Sequence, residues 1–377
     1  MRHSTDSAHS TSRWVMLSDG ARPTEDIYFL ESVAPLLKAQ GHRVERVDTR
    51  QHALLFPWKV EAQLCRLKGA RLVVCRSLGS AWLWLLESNR SAFASIHYLI
   101  DDDIAAAVKD HTLPAAYRQR MERLKTRQPR LLALADEVVV CSPVLAEHVA
   151  AQHPDMSVKL RVATPSLISP LPSLDHFATG PDTGSVAAPD EANPWCIGYH
   201  GTRAHLADMQ HIAPALVKVH DRWPSTRLEI MLGRYSPEVL RSLARCDTPA
   251  AMSWPLFRDY QRRRRIHIGL APMLETPFNV GKSYIKFLDI AVMGGVGVYS
   301  RRQPLVDIVE HGINGLLADD TPESWYQCLN WLLTHPDDAR RMAEQAAVTA
   351  REMGNPRHAA EQWLSATEGL DSRRSSK

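Results

Sequence analysis

The stretch that decides the reading is Asn279-Val280-Gly281-Lys282-Ser283-Tyr284-Ile285-Lys286-Phe287-Leu288-Asp289, which follows an apolar run from Ile266. It predicts a strand, a loop, and a helix starting near Gly281. On that helix Lys286 stands about 40° and Asp289 about 20° from Lys282 around the axis, while Ile285, Leu288 and Val292 mark an apolar side. Free N–H groups at a helix start, the helix dipole and a lysine ammonium together suit a diphosphate, and Asp289 could then accept from ribose hydroxyls. The plain alternative is a solvated face with a Lys286–Asp289 ion pair at i, i+3. A P-loop is excluded, because Thr276 stands where its first glycine is required.

Outward from this stretch, short β-type runs alternate with helical patterns, the mark of parallel sheets covered on both faces. The expected strands are Trp14 to Ser18, Arg43 to Val47, Arg71 to Cys75, Ser95 to Ile100, Glu137 to Cys141 and Val158 to Ala163 in a first unit. A second unit has Trp195 to Tyr199, Arg227 to Leu232, Ile266 to Leu270 and Val296 to Tyr299. Between them, residues 169–194 hold five prolines and two glycines without apolar periodicity, which reads as a linker. The expected fold class is therefore α/β, with doubly wound domains at 14–168 and 195–355 facing across a cleft, a polar tail at 1–13, and a terminal segment 356–377. Ligands of such sheets lie beyond the carboxyl ends of the strands.

The 377 residues fit two domains, and 45% apolar with 23% charged residues is ordinary for a soluble globular chain. Lysine plus arginine (45) and aspartate plus glutamate (42) nearly cancel, so the strong positive field of a nucleic-acid binder is missing. The six cysteines form no C-x-x-C pair, which fits free thiols in a reducing compartment and argues against structural zinc. No secretory signal and no membrane-spanning run is expected. The expectation is a cytoplasmic protein that touches the inner face of a membrane peripherally at most.

Two further constellations sit where strands end. Gly198-Tyr199-His200-Gly201-Thr202-Arg203-Ala204-His205 offers two glycines and basic groups before a helix, a ligand approach or an ordinary turn. Asp101-Asp102-Asp103 precedes Ile104 and caps a helix, binds a divalent metal, or orients and deprotonates an acceptor hydroxyl. Basic residues Arg118, Arg120, Arg123, Lys125, Arg127 and Arg130 on one expected helix, and Arg262 to Arg265, read as solvated faces or as docking sites for anionic lipid. The histidines give no zinc motif, and the Gly-x-Ser-x-Gly elbow is absent.

Residues Gly269 to Asp320 resemble the donor-binding domain of GT-B glycosyltransferases of the family 4-like group. The resemblance runs through Gly269-Leu270-Ala271-Pro272, Asn279-x-x-Lys282-Ser283-x-x-Lys286-x-x-Asp289, Gly294-Gly295-Val296-Gly297-Val298 and His311-Gly312-Ile313-Asn314-Gly315-Leu316-Leu317. It extends more weakly to 195–214 and to Ala135-Asp136-Glu137-Val138. It implies two Rossmann-like domains, a donor in the second and an acceptor in the first, and a last helix, about Pro356 to Thr367, returning to the first. It also implies transfer of a sugar from a nucleoside-diphosphate sugar to a hydroxyl, on a glycan or lipid-linked glycan of polysaccharide synthesis, with retention and no metal or other cofactor. The departing phosphate can itself take the acceptor proton in that mechanism. Donor contacts would come from Gly201, Thr202, Arg203, His205, Asn279, Lys282, Ser283, Lys286 and Asp289, and Asp101, Asp102, Asp103, Glu275 and Lys282 would serve catalysis. Two departures stand out. Gly281 occupies the first of the family's two glutamate positions, leaving Glu275 or Asn279 for the donor sugar. His200 and His205 replace its usual basic pair. A nucleotide-sugar epimerase and a degenerate nucleotide-sugar-binding subunit are the alternatives.

Overall fold

The computed structural model describes residues 11–375 apart from 53, 55, 155–159 and 180–183, with side chains to 365. Most of the expected tail, residues 1–10, lies outside the described residues. The chain builds two parallel six-stranded sheets, ordered β2-β1-β3-β4-β5-β6 and β12-β11-β10-β7-β8-β9. The first contains β1 (Arg13–Ser18), β2 (Arg43–Asp48), β3 (Arg71–Cys75), β4 (Ser95–Ile100), β5 (Glu137–Val140) and β6 (Leu160–Val162). The second contains β7 (Trp195–Tyr199), β8 (Thr226–Ile230), β9 (Cys246–Asp247), β10 (Ile268–Ala271), β11 (Val296–Ser300) and β12 (Leu316–Ala318).

Strands covered on both faces need continuous apolar runs. Leu72, Val73, Val74 and Cys75 in β3 are fully buried, as are Ile96, Tyr98, Leu99 and Ile100 in β4. The order of each sheet reverses once, between β1 and β3 in the first and between β7 and β10 in the second. Ligand crevices open at such reversals, beyond the strands' carboxyl ends. The loops after β3, β7 and β10 are therefore the ones to follow.

The expected linker is more than a tether. Phe177 is buried with its ring edge-on to Trp195 at 5.3 Å, Val186 is buried in the same core, and His176 Nε2 lies 3.0 Å from the Ile266 carbonyl. Isolated anchors of this kind carry no periodicity, so the sequence pattern misses them. The last helix, Pro356–Ser375, returns to the first domain. It sets fully buried Trp363 against Trp14 and Phe29, 6.0 and 4.9 Å between ring centroids.

Candidate active site in the interdomain cleft

On the first domain, β4 delivers the three aspartates into the cleft. Asp103 is the N-cap of helix Ile104–Lys109, Oδ1 accepting the Ala106 N–H at 2.9 Å, and its Oδ2 lies 2.7 Å from His148 Nδ1. Asp101 accepts two bonds from Arg76, at 2.6 and 2.7 Å, and one from the Thr24 hydroxyl at 2.6 Å. Asp102 is met by Arg76 at 3.1 Å, by the Tyr117 hydroxyl at 3.0 Å, and by the Lys282 ammonium from the second domain. Arg76 follows β3 and has φ of 58°, a region that a residue with a Cβ enters only when its surroundings hold it there. The Tyr98 hydroxyl on its carbonyl, at 2.8 Å, and the two aspartates on its guanidinium supply that hold. With the charges of Asp101 and Asp102 already matched by Arg76 and Lys282, the triplet does not present the free carboxylates that a divalent metal requires. Among the described residues, no group of three or more histidine, cysteine, aspartate or glutamate side chains is arranged to hold a metal.

Burial works against ionisation of Asp102, but Lys282 and Arg76 outweigh it and hold the carboxyl well below the usual carboxylate range. The same partner overcomes the desolvation of Lys282 and pushes its ammonium well up. The Lys282 ammonium also lies over the ring of Phe278, 4.1 Å from its centroid, and Phe278 itself is buried in the first domain's core cluster. Beside it, the Tyr28 hydroxyl donates to Ser283 Oγ at 2.9 Å and the Ser142 hydroxyl donates to the Gly281 carbonyl at 2.8 Å. The Gly281–Ser283 segment is thus docked residue by residue onto the first domain.

This docking changes the expected helix. A short turn, Pro277–Val280, capped by Thr276, ends at Gly281, and the long helix begins only at Ile285 and runs to Val292. Lys282 therefore stands in the loop rather than on a helical stripe, because its segment is pulled across the cleft. Lys286 and Asp289 do pair at i, i+3, 3.1 Å apart, but on a partly buried face rather than the solvated one of the plain alternative. Their other bonds are more specific. The Lys286 ammonium donates to the His200 carbonyl in the loop after β7, and Asp289 Oδ1 accepts from the Gln261 amide at 2.9 Å.

The loop after β7 is braced from below. His200 Nε2 lies 2.7 Å from Glu229 Oε1, and the same carboxylate pairs with Arg264 at 2.6 Å and accepts from the Tyr260 hydroxyl. Burial opposes the charge on Glu229, but these bonds lower its pKa to about 2. His205 Nδ1 lies 2.7 Å from Asp208 Oδ2, whose other oxygen accepts from the Leu274 N–H at 2.8 Å and the Asn279 amide at 3.4 Å. Asp208 therefore ties the loop after β7 to the loop after β10. Thr202 caps the short turn that follows, and the Arg203 guanidinium stacks on Tyr235 at 4.5 Å. Gly201 is required by packing, since a Cβ there would stand 2.1 Å from the Tyr199 hydroxyl. Glu275 is far less held: its side chain is 83% exposed, with Arg302 at 3.7 Å.

The structure thus joins Asp102 to Lys282 and Lys286 to the loop after β7, and it leaves Glu275 at the rim. Arg76, His148, Asp208 and Glu229 are organising residues that the sequence reading did not single out. None belongs to a motif, and the positive φ of Arg76 has no sequence signature. The basic run also differs, splitting into helices Ala115–Lys125 and Gln128–Leu134. Several of its arginines have internal partners: Arg127 donates to the Leu78 carbonyl and Arg130 pairs twice with Glu87. Among the described residues, no helix is long and apolar enough to cross a membrane.

No family model matches the sequence, and no curated protein matches it either. Solved structures do. A glycosyltransferase from Rickettsia africae superposes with a TM-score of 0.62 at 12% identity, covering 96% of this chain and 99% of its own. Sucrose-phosphate synthase from Thermosynechococcus elongatus gives 0.62 at 16% identity, covering 96% and 100%. HepE from Anabaena, in complex with UDP and glucose, gives 0.60 at 12% identity, covering 95% and 100%. Two parallel Rossmann-like domains facing across a cleft, with a last helix that returns to the first, and likenesses that span nearly the whole of each chain, show that this chain has the GT-B fold.

Proposed function

We propose that the chain is a glycosyltransferase that moves a sugar from a nucleoside-diphosphate sugar to a hydroxyl acceptor. The observation that carries this reading is the junction at the second sheet's reversal point. There Lys286 and Asp208 bind the loop after β7 to the segment after β10, leaving a braced site beside the first domain. HepE, of the same fold, is seen with UDP and glucose, which favours a nucleoside diphosphate as the donor class. In this reading Gly201, Thr202, Arg203, His205, Asn279, Ser283, Lys286 and Asp289 line the donor. Lys282 moves from Asp102 to the leaving diphosphate, where a fixed positive charge stabilises the developing anion. Asp101, Asp102 and Asp103 hold the acceptor side. Retention, independence of metal, and a glycan or lipid-linked acceptor of polysaccharide synthesis at the cytoplasmic face belong to the same proposal.

A thermal-shift screen of UDP, GDP, dTDP, ADP and CMP and their sugar conjugates, with and without EDTA, tests it. Ligand at 100 times its dissociation constant adds about 2.7 kcal/mol of stability. An EDTA-insensitive shift by one nucleotide class, with turnover that requires an acceptor, is the expected result. Binding without turnover for any acceptor favours the degenerate subunit, a reading that the Lys282–Asp102 pair specifically supports. Turnover without an acceptor that yields the epimeric nucleotide sugar establishes the epimerase instead.

A further inference from the structure

Phe56 and Trp58 stand at the start of helix Pro57–Leu67, which follows β2, and their rings lie parallel, 4.5 Å between centroids and 6° between planes. They are 44% and 63% exposed, although large aromatic side chains are normally hidden by folding. The Lys59 ammonium lies over the Phe56 ring, 5.7 Å from its centroid. The pair is thus held flat, and the indole keeps in water the face that Phe56 does not cover. β2, β1, β3 and β4 run parallel, so the loop after β2 opens at the same edge of the sheet as Asp101–Asp103 after β4. In the sheet order β2 stands three positions from β4, roughly 14 Å at the usual strand spacing. The stacked rings therefore lie on the first-domain rim of the cleft, within the length of a few sugar units of the three aspartates.

Magnitudes decide what covers such rings. A stable protein interface takes about 800 Å2 from each partner, whereas these two rings offer roughly 200 Å2. Docking on an anionic bilayer draws on about 4–8 clustered lysines and arginines, and here Lys59 is offset by Glu61 two residues on. A pyranose ring fits both limits. It presents a face of C–H bonds about the size of an indole, and its hydroxyls stay in water when that face stacks. We infer that Phe56 and Trp58 form a platform for one sugar ring of the acceptor, a few units from the hydroxyl that is glycosylated. The inference rests on the glycosyl-transfer reading and narrows its acceptor to an extended glycan chain, running from the three aspartates along the carboxyl edge of the first sheet. Trp58 acts on acceptor binding alone, by taking the apolar face of the sugar out of water. Trp84, 55% exposed on the helix after β3, makes no ring contact with the pair among the described residues and serves as its control.

Calorimetry of the full chain with glucose, maltotetraose, cellotetraose, laminaritetraose and chitotetraose tests the platform. At least one tetrasaccharide should bind at millimolar concentration, and more tightly than the monosaccharide, because only a chain spans from the aspartates to the rim. Trp58→Ala should weaken that tetrasaccharide about tenfold, as loss of a stacked tryptophan does. Trp58→Phe keeps a flat ring and should cost no more than about threefold, and Trp84→Ala should leave the affinity as it is. UDP and GDP affinity and the melting temperature should be those of the wild type in all three. A folded Trp58→Ala that binds the tetrasaccharide as the wild type does overturns the inference, and so does a wild type that binds none of the four. Trp58-dependent sedimentation with phosphatidylglycerol vesicles, in a chain that binds no glycan, overturns it in favour of a membrane contact. Nucleotide-sugar turnover with glycan binding that ignores Trp58 keeps the glycosyl-transfer reading and loses the platform. Trp58-dependent glycan binding in a chain that takes no nucleotide sugar keeps the platform and loses that reading.

Discussion

Two buried charge networks meet at this cleft, made of similar residues but joining different things. The Arg76–Asp101–Asp102–Lys282 network crosses between domains, linking residues 180 positions apart in sequence. The His200–Glu229–Arg264–Tyr260 network lies wholly within the second domain. The first has to break if the domains part or if Lys282 turns to a ligand. The second stays intact in either state and keeps the loop after β7 in place.

Lys282→Met should separate the two networks most strongly. Removing one partner of a buried pair leaves an uncompensated charge, typically 3–5 kcal/mol. Lys282 keeps 20% of its side-chain exposure and Asp102 retains Arg76, so the lower end, about 3 kcal/mol, is expected from urea denaturation. The domains should also separate, raising the radius of gyration in solution scattering. Restored stability in Lys282→Met/Asp102→Asn would confirm that the unpaired carboxylate is the cost, whereas a wild-type midpoint for Lys282→Met would show that the seam contributes nothing.

Glu229→Gln should cost less, about 2 kcal/mol, because hydrogen bonds to a charged group are worth about 1.5–3 kcal/mol and the amide retains some of them. Here the scattering profile should stay that of the wild type while nucleotide affinity falls. An expanded Glu229→Gln particle would erase the distinction between the two networks.

Titration separates them next. The folded-state pKa values of Asp102 and Glu229 are both depressed, so each contributes stability above the ordinary carboxylate pKa near 4 and loses it as pH falls through the lower folded value, about 2 for Glu229. The folded pKa of Lys282 is raised, so its share is complete below the ordinary lysine value near 10.4 and is lost as pH rises through the higher folded one. The wild type should therefore lose more stability than Lys282→Met at the alkaline end, and more than Glu229→Gln only at the acid end. Equal alkaline slopes in wild type and Lys282→Met would contradict the seam's ionisation.

The reach of sequence reading follows the same division. Strands buried on both faces announce themselves, and Arg71–Cys75, Ser95–Ile100 and Trp195–Tyr199 stand where the apolar runs put them. Cys246–Asp247 and Leu316–Ala318 are too short, at two and three residues, for periodicity to register as strands. Lys286 and Asp289 were legible as an i, i+3 pair, but the His200 carbonyl that Lys286 also binds was not. Lys282 looked helical because its local pattern is helical, and the pull of Tyr28, Ser142 and Asp102 from the other domain is invisible locally. His148 is one histidine in a helix, and only the fold brings Asp103 to its ring.

The smallest structural effect should come from Glu275, and it bears directly on the donor. Its carboxylate is 83% exposed with Arg302 at 3.7 Å, so Glu275→Gln should change stability by no more than about 0.5 kcal/mol, as surface substitutions do. Both networks would remain as they are. Yet Glu275 stands on the loop after β10, and under the proposed function the donor sugar needs a carboxylate that Gly281 does not supply. If Glu275 fills that place, kcat/KM for the nucleotide sugar should drop at least tenfold while affinity for the bare nucleotide is unchanged. That split would locate Glu275 on the sugar rather than on the diphosphate. Unchanged kinetics would assign the sugar to Asn279, which is buried and already held by Asp208 and the Leu274 carbonyl, and so to the network that does not open.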